Sequence, residues 1–178
     1  MNTDAAPVTP TRWRGMTGAD IDGVVAVARS AFPEHFEARA CFEERLALFP
    51  EGCFVLDRDG QVAGYLIAYP WPRGAIPPLN SALGALPPSI EDVYLHDLAF
   101  APEARGQGHA RPIVQRLVEE MRGRGARRIA LVSVNGTRGF WQAMGFAPVA
   151  GDEALSRKLE SYGEGACYMV RELQGVEL

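Results

Sequence analysis

Two strand-like runs, joined by a glycine turn and one amphipathic helix, leave this chain few ways to fold. Asp92 to Phe100 is apolar, aromatic and bounded by turn chemistry, and it reads as a strand. In regular alternation it sends Val93, Leu95, Asp97 and Ala99 to one face and Tyr94, His96, Leu98 and Phe100 to the other. Beyond Pro102 comes the turn Arg105-Gly106-Gln107-Gly108-His109-Ala110, then Ile113, Val114, Leu117, Val118 and Met121 at helical spacing. Pro112 fits a helix start near Gly108, because a proline in the first four helical positions removes an amide that has no helical partner there. Arg122 to Gly125 ends the helix. Ile129 to Val134 is then a nearly unbroken apolar run, as a strand buried on both faces requires. Strand, crossover helix and strand predict a parallel pair.

Around this unit the signals are those of an antiparallel sheet with helices. Thr11 to Met16 suits a short strand. Thr17 and Asp20 resemble a capped helix start, with Ile21, Val24, Val25 and Ala28 on one face and Pro33 ending the pattern. A weaker helix is expected over about 38–48, with Phe42, Leu46 and Phe49 on one side. Cys53 to Leu56, the Asp59-Gly60 turn and Val62 to Tyr69 predict a hairpin. A short helix over about 137–144 ends at Gly145, and Phe146 to Val149 and Ala166 to Leu173 are the last strands. The order β-α-α-β-β-β-α-β-α-β-β describes a mixed α/β chain: a flexible tail over 1–10, then a single domain over 11–178.

The 178 residues are 47% hydrophobic and 22% charged, enough for a sizeable core. A net charge of −4 has the wrong sign for broad phosphate-backbone contact, so no nucleic-acid partner is expected. Cys41, Cys53 and Cys167 form no C-x-x-C pair and suit a reducing cytoplasm. The first ten residues lack a signal pattern, and the prolines between Pro70 and Pro88 forbid a membrane helix in the weakly charged stretch there, so no membrane contact is expected. No metal-ligand spacing is present.

The glycine turn carries the strongest chemical signal. Two glycines let a ligand approach the backbone, the unpaired amides and dipole of the following helix favour a phosphate or pyrophosphate, and Arg105 adds a charge. A dinucleotide fingerprint needs glycine or alanine where Arg111 stands, and a triphosphate loop needs G-x-x-x-x-G-K-[ST], which is absent. What remains is R-x-x-G-x-A at Arg105, Gly108 and Ala110. About 30 residues on come Asn135 and Phe140-Trp141-Gln142-Ala143-Met144-Gly145-Phe146.

Together these motifs, with Leu95 to Pro102 ahead of the turn, resemble the GNAT superfamily of N-acetyltransferases, with its [QR]-x-x-G-x-[GA] loop and its Asn followed by F-Y-x-x-x-G-F. The resemblance covers about residues 11–173. It implies a GNAT-like acyl-CoA N-acyltransferase fold, with a splayed, largely antiparallel central sheet flanked by helices. It further implies acetyl-CoA as cosubstrate, held by Arg105, Gly106, Gln107, Gly108, His109 and Ala110, by the backbone of Leu98, Ala99 and Phe100, and by Asn135 and Trp141. The acceptor is expected to be a small-molecule primary amine, attacking directly in a ternary complex, and a homodimer is allowed for.

An amine is mostly protonated at pH 7, so its proton must be taken. His96 is the leading candidate, as base or as anchor of a relaying water, because its position resembles that of the central-strand histidine in aralkylamine N-acetyltransferases. Asp97 and Glu91 stand in reserve. The sequence departs from the family where Trp141 replaces the tyrosine that protonates the leaving thiolate in many members, since an indole is not a usable acid. Tyr162 and Tyr168 are the candidates for that role, with half-buried packing as their competing reading. His35 is expected to be exposed, and His109 to face a phosphate or water. The proline-rich loop with Trp71, Ile76, Leu79, Leu83 and Leu86 suits a wall over a small molecule. Two further readings are a catalytically silent acyl-CoA-binding regulator of the same fold and a dinucleotide-binding module.

Overall fold

The computed structural model describes residues 10–173, so the expected tail lies outside the described residues except for Pro10. The elements run β1 (Arg12–Gly15), α1 (Ile21–Ala31), α2 (Arg39–Leu48), β2 (Cys53–Arg58), β3 (Gln61–Pro70), β4 (Asp92–Phe100), α3 (Ala110–Gly123), β5 (Arg128–Ser133), α4 (Arg138–Ala143), β6 (Ala147–Pro148), α5 (Glu153–Glu160) and β7 (Cys167–Glu172). Seven strands form one sheet in the order β1-β2-β3-β4-β5-β7-β6. Every pairing is antiparallel except β4 with β5, which the α3 crossover makes parallel.

Each face of the sheet has its own core, because the apolar stripes of the helices must be covered. On one face lie Ile21, Val24, Val25 and Val27 of α1, Phe42 of α2 and, from the 70–89 loop, Trp71, Ile76, Leu83 and Leu86. On the other, α3 buries Ile113, Val114, Leu117, Val118 and Met121 against Val93, Leu95, Ile129 and Leu131. At about 1.5–3 kcal/mol for each such side chain, this stripe holds α3 to the sheet and so holds the glycine turn in place.

Two features depart from expectation. The sequence pattern predicts no helix in Glu-Ala-Leu-Ser-Arg-Lys-Leu-Glu, yet α5 forms there. Only Leu155 of it is buried, so the apolar period is too thin to read, and an Asp152 side chain accepting from the Leu155 amide starts the helix. The regular alternation expected along β4 also fails. Ile67 faces Asp97 while the next residue, Ala68, faces Leu95, so His96 is an extra residue in a bulge. Leu98 therefore joins Val93 and Leu95 on the α3 face, and Ala99 joins Tyr94 on the α1 face.

The sheet is open at its centre. β4 and β5 pair only from Asp92 to Tyr94 against Arg128 to Ala130. Past that point β4 stays bonded to β3, and β5 to β7, so the two strands part toward the α3 N-terminus.

Candidate active site

A cleft of about 710 Å³ follows this gap, with the glycine turn at one end and the α1–α2 connection at the other. On the turn side, Gly106 and Gly108 hold φ of +71° and +80°, the left-handed region that glycine enters at least cost. The amides of Gly106, Gln107, Gly108 and His109 donate to no acceptor among the described residues. The turn is braced from outside. Trp13 Nε1 donates to the His109 carbonyl (2.9 Å), Arg58 to Gln107 Oε1 (2.9 Å) and Gln107 Nε2 to the Glu103 carbonyl (2.7 Å). Arg105 is exposed, with Nε 3.2 Å from the Phe100 carbonyl.

Arg105 to Ala110, Leu98, Phe100, Asn135 and Trp141 all line this cleft, whereas Ala99 turns its side chain into the α1-face core. Trp141 packs edge-on against Phe146 at 5.5 Å between ring centres and is almost wholly buried, so it serves the core and the cleft wall together.

The other end is built from side chains distant in sequence. The bulge turns His96 and Asp97 toward the same face. His96 Nε2 lies 2.6 Å from Glu37 Oε1, and its Nδ1 lies 3.1 Å from the Tyr69 hydroxyl. Glu37 Oε2 accepts from Arg45 Nη2 (2.6 Å) and from the Asn80 amide (3.3 Å). Asp97 Oδ2 accepts from the Tyr65 hydroxyl (2.9 Å). Arg45 is completely buried, and its Nε and Nη1 have no partner among the described residues.

Burial alone would push the Glu37 carboxyl up, but the His96 contact and the Arg45 charge outweigh it and hold the group down at about 2. Asp97 is raised, because burial outweighs the pull of His96, Tyr65 and Arg45. Phe32, Phe36, Phe42, Leu79, Tyr94 and Tyr162 give this end apolar walls.

Among the expected residues, Tyr162 lines the cleft; its hydroxyl is 3.5 Å from the Pro77 carbonyl, and burial pushes the phenol up to about 12. Tyr168 is not brought to the cleft. It accepts from the Gly74 amide (3.0 Å) and borders a separate small cavity beside Trp71. His35 is half-buried rather than exposed, because the α1–α2 connection folds over the cleft and sets its ring 6.0 Å from that of Tyr162. His109 is half-buried beside Phe100. Glu91 is exposed and pairs with Arg127 and Arg128.

None of the three cysteines lines the cleft, and burial pushes the Cys53 thiol up to about 12. Glu37, His96 and Asp97 have ligand atoms within 4.8 Å of one another. The oxygens of Glu37 and both nitrogens of His96 are nevertheless engaged in hydrogen bonds, so the cluster is a network rather than an open coordination site.

Sequence reasoning does not single out Glu37, Arg45 or Tyr69. A polar run such as Phe-Glu-Ala-Arg-Ala-Cys-Phe-Glu-Glu-Arg reads as a solvated helix, and only the tertiary fold reveals that one glutamate and one arginine of it point inward.

Residues 21–146 match the model of the acetyltransferase (GNAT) family. Serotonin N-acetyltransferase 2, chloroplastic, of Oryza sativa subsp. japonica is 27% identical over 135 residues, covering 75% of this chain and 60% of that protein, so the chain spans about three fifths of the length of this curated relative. Among solved structures, Ard1 from Thermoplasma volcanium superposes with a TM-score of 0.70 at 15% identity, over 94% of this chain and 100% of that one. N-acetylglutamate synthase from Neisseria gonorrhoeae, complexed with coenzyme A and N-acetyl-glutamate, gives 0.70 at 18% identity, over 94% of this chain and 36% of that one. These two likenesses show the shared fold.

Proposed function

Since the chain belongs to the acetyltransferase (GNAT) family, we propose that it moves an acetyl group from acetyl-CoA to the primary amine of a small molecule, by direct attack in a ternary complex. One observation carries this reading. A single cleft joins a turn of unpartnered amides to a buried acid–base network through the gap between β4 and β5.

In this reading the pyrophosphate lies on the amides of residues 106–110 with Arg105 beside it, where the dipole of α3 favours negative charge. The thioester enters the gap, and a backbone amide among Leu98, Ala99 and Phe100 stabilises the oxyanion without reorganising. Asn135 and Trp141 flank the pantetheine or adenine side. The amine enters from the aromatic end and loses its proton within the Glu37–His96–Asp97 cluster. Tyr162, which lines the cleft, protonates the thiolate in this reading, since Trp141 offers no acid.

The apolar walls favour an amine that carries an aromatic or aliphatic body, in keeping with the activity named for the rice relative. The three cysteines are free thiols, which suits a reducing cytoplasm. No described helix is long and apolar enough to cross a membrane.

The test is release of free CoA thiol from acetyl-CoA with a panel of arylalkylamines, alkylamines and peptide N-termini, together with calorimetry of acetyl-CoA binding. Turnover on the small amines is expected, with a melting temperature raised by the cofactor. Trp141 is the observation that favours the second reading, a silent acyl-CoA-binding regulator. Cofactor heat with no thiol release on any amine would select it.

A further inference from the structure

The geometry points to Asp97, and not the imidazole beside it, as the group that takes the proton from the acceptor amine. The inference rests on the acetyl-transfer reading and names the base within it. A base must present an open lone pair to the substrate. His96 has none, because Glu37 holds its Nε2 and Tyr69 its Nδ1, and its side chain is 4% exposed. Glu37 has both oxygens engaged and is 5% exposed. Asp97 is 15% exposed, the most open of the three. Its Oδ2 accepts from Tyr65, while its Oδ1 has no partner among the described residues and is not sealed from the cleft.

The β4 bulge makes this placement possible. In regular alternation Asp97 would stand on the α3 face, away from His96; the extra residue brings both to the acceptor side. The titratable groups around Asp97 are Tyr65 and Tyr69 from β3, His96 and Tyr94 on its own strand, Glu37 from the α1–α2 connection, Arg45 from α2 and Tyr162 beyond α5, while α1 packs apolar residues on this face and sets Arg29 in the cleft lining. Burial together with the Glu37 charge raises Asp97, which strengthens it as a base.

The step balances. Asp97 takes one proton from the ammonium, the freed nitrogen lone pair forms the bond to the thioester carbon, and collapse breaks the C–S bond. The second proton lost by nitrogen goes to the thiolate, and Asp97 returns its own to solvent, so one proton is released per turnover. His96, clamped by Glu37 and Tyr69, is then a positioning residue that keeps the neighbouring strand and Asp97 in place.

The experiment compares wild type, Asp97→Asn, Asp97→Glu and His96→Gln for pH-dependent kcat/KM on a strongly and a weakly basic amine, with acetyl-CoA affinity and melting temperature measured alongside. Asp97→Asn is expected to lose about 100-fold in kcat/KM, with cofactor affinity unchanged. It should also lose an acid limb that wild type shows at the same pH with both amines. Asp97→Glu should recover part of the rate, and His96→Gln should be slower but keep the limb.

A wild-type rate and limb in Asp97→Asn overturns the inference. So does loss of the limb in His96→Gln alone, which returns the role to the imidazole. Should Asp97→Asn fail to fold, wild type decides: an acid limb that only tracks the basicity of the amine also overturns it. A wild type that binds acetyl-CoA yet is silent on every amine overturns the transfer reading itself, and this inference with it.

Discussion

The two ends of the cleft are built in opposite ways. The turn between β4 and α3 is exposed and local: four consecutive residues, Gly106 to His109, offer unpartnered backbone amides, and their conformation follows from two glycines. The acceptor end is buried and assembled from α2, β3, β4 and the α1–α2 connection, with partners 27 and 59 residues apart in the contacts of His96 alone. A backbone-built site costs the fold little and tolerates change in nearby side chains. A side-chain network in low dielectric is coupled to folding, because each charge in it needs its partner.

The sharpest way to break this contrast is to remove one charge from each end. Arg45→Ala leaves Glu37 buried without its cation and should destabilise the protein by about 3–5 kcal/mol, whereas Arg105→Ala, at an exposed site, should stay within about 0.5 kcal/mol. Urea unfolding measures both. Equal losses would mean that the two ends do not differ in their coupling to stability.

Titration probes the same network more gently. The folded state holds Glu37 down from its ordinary 4.5 to about 2. It therefore binds that proton less readily than the unfolded chain, and its contribution is fully present above about 4.5 and lost as pH falls toward about 2. Melting temperatures across this window should fall more steeply for wild type than for Glu37→Gln. Asp97, raised by burial, works in the opposite sense at higher pH. Parallel curves for the two proteins would show that Glu37 carries no linked proton.

A backbone change at the turn should act on binding more than on stability. Gly108→Ala places a Cβ at φ +80° with no atom within 4 Å, so it should cost only about 1–2 kcal/mol of backbone strain. Its larger effect should be on acetyl-CoA, whose affinity should fall by about tenfold, roughly 1.4 kcal/mol, with turnover at saturation little changed. Titration calorimetry and saturation kinetics separate the two.

The same division governs what is legible in the sequence. The glycine turn, α3, the parallel pair and the hairpin are local or periodic, and each can be read from the order of residues alone. The bulge at His96 cannot, because it is set by pairing with Ile67 and Ala68 and leaves no trace in the residues of β4 themselves. Glu37 and Arg45 look like surface charges until the docking of α2 buries them. Tyr168 looks as suitable as Tyr162, since both are tyrosines near the C-terminus; only the register of β7 turns the first away from the cleft.

Direct transfer between substrates held together in one cleft is the centre of this account, and two-substrate initial rates test it most directly. Acetyl-CoA and an amine that the protein acetylates should be varied against each other while CoA release is followed. Double-reciprocal lines that intersect are predicted, as a ternary complex requires. Parallel lines, together with an acetylated cysteine recovered after mixing the protein with acetyl-CoA alone, would contradict it.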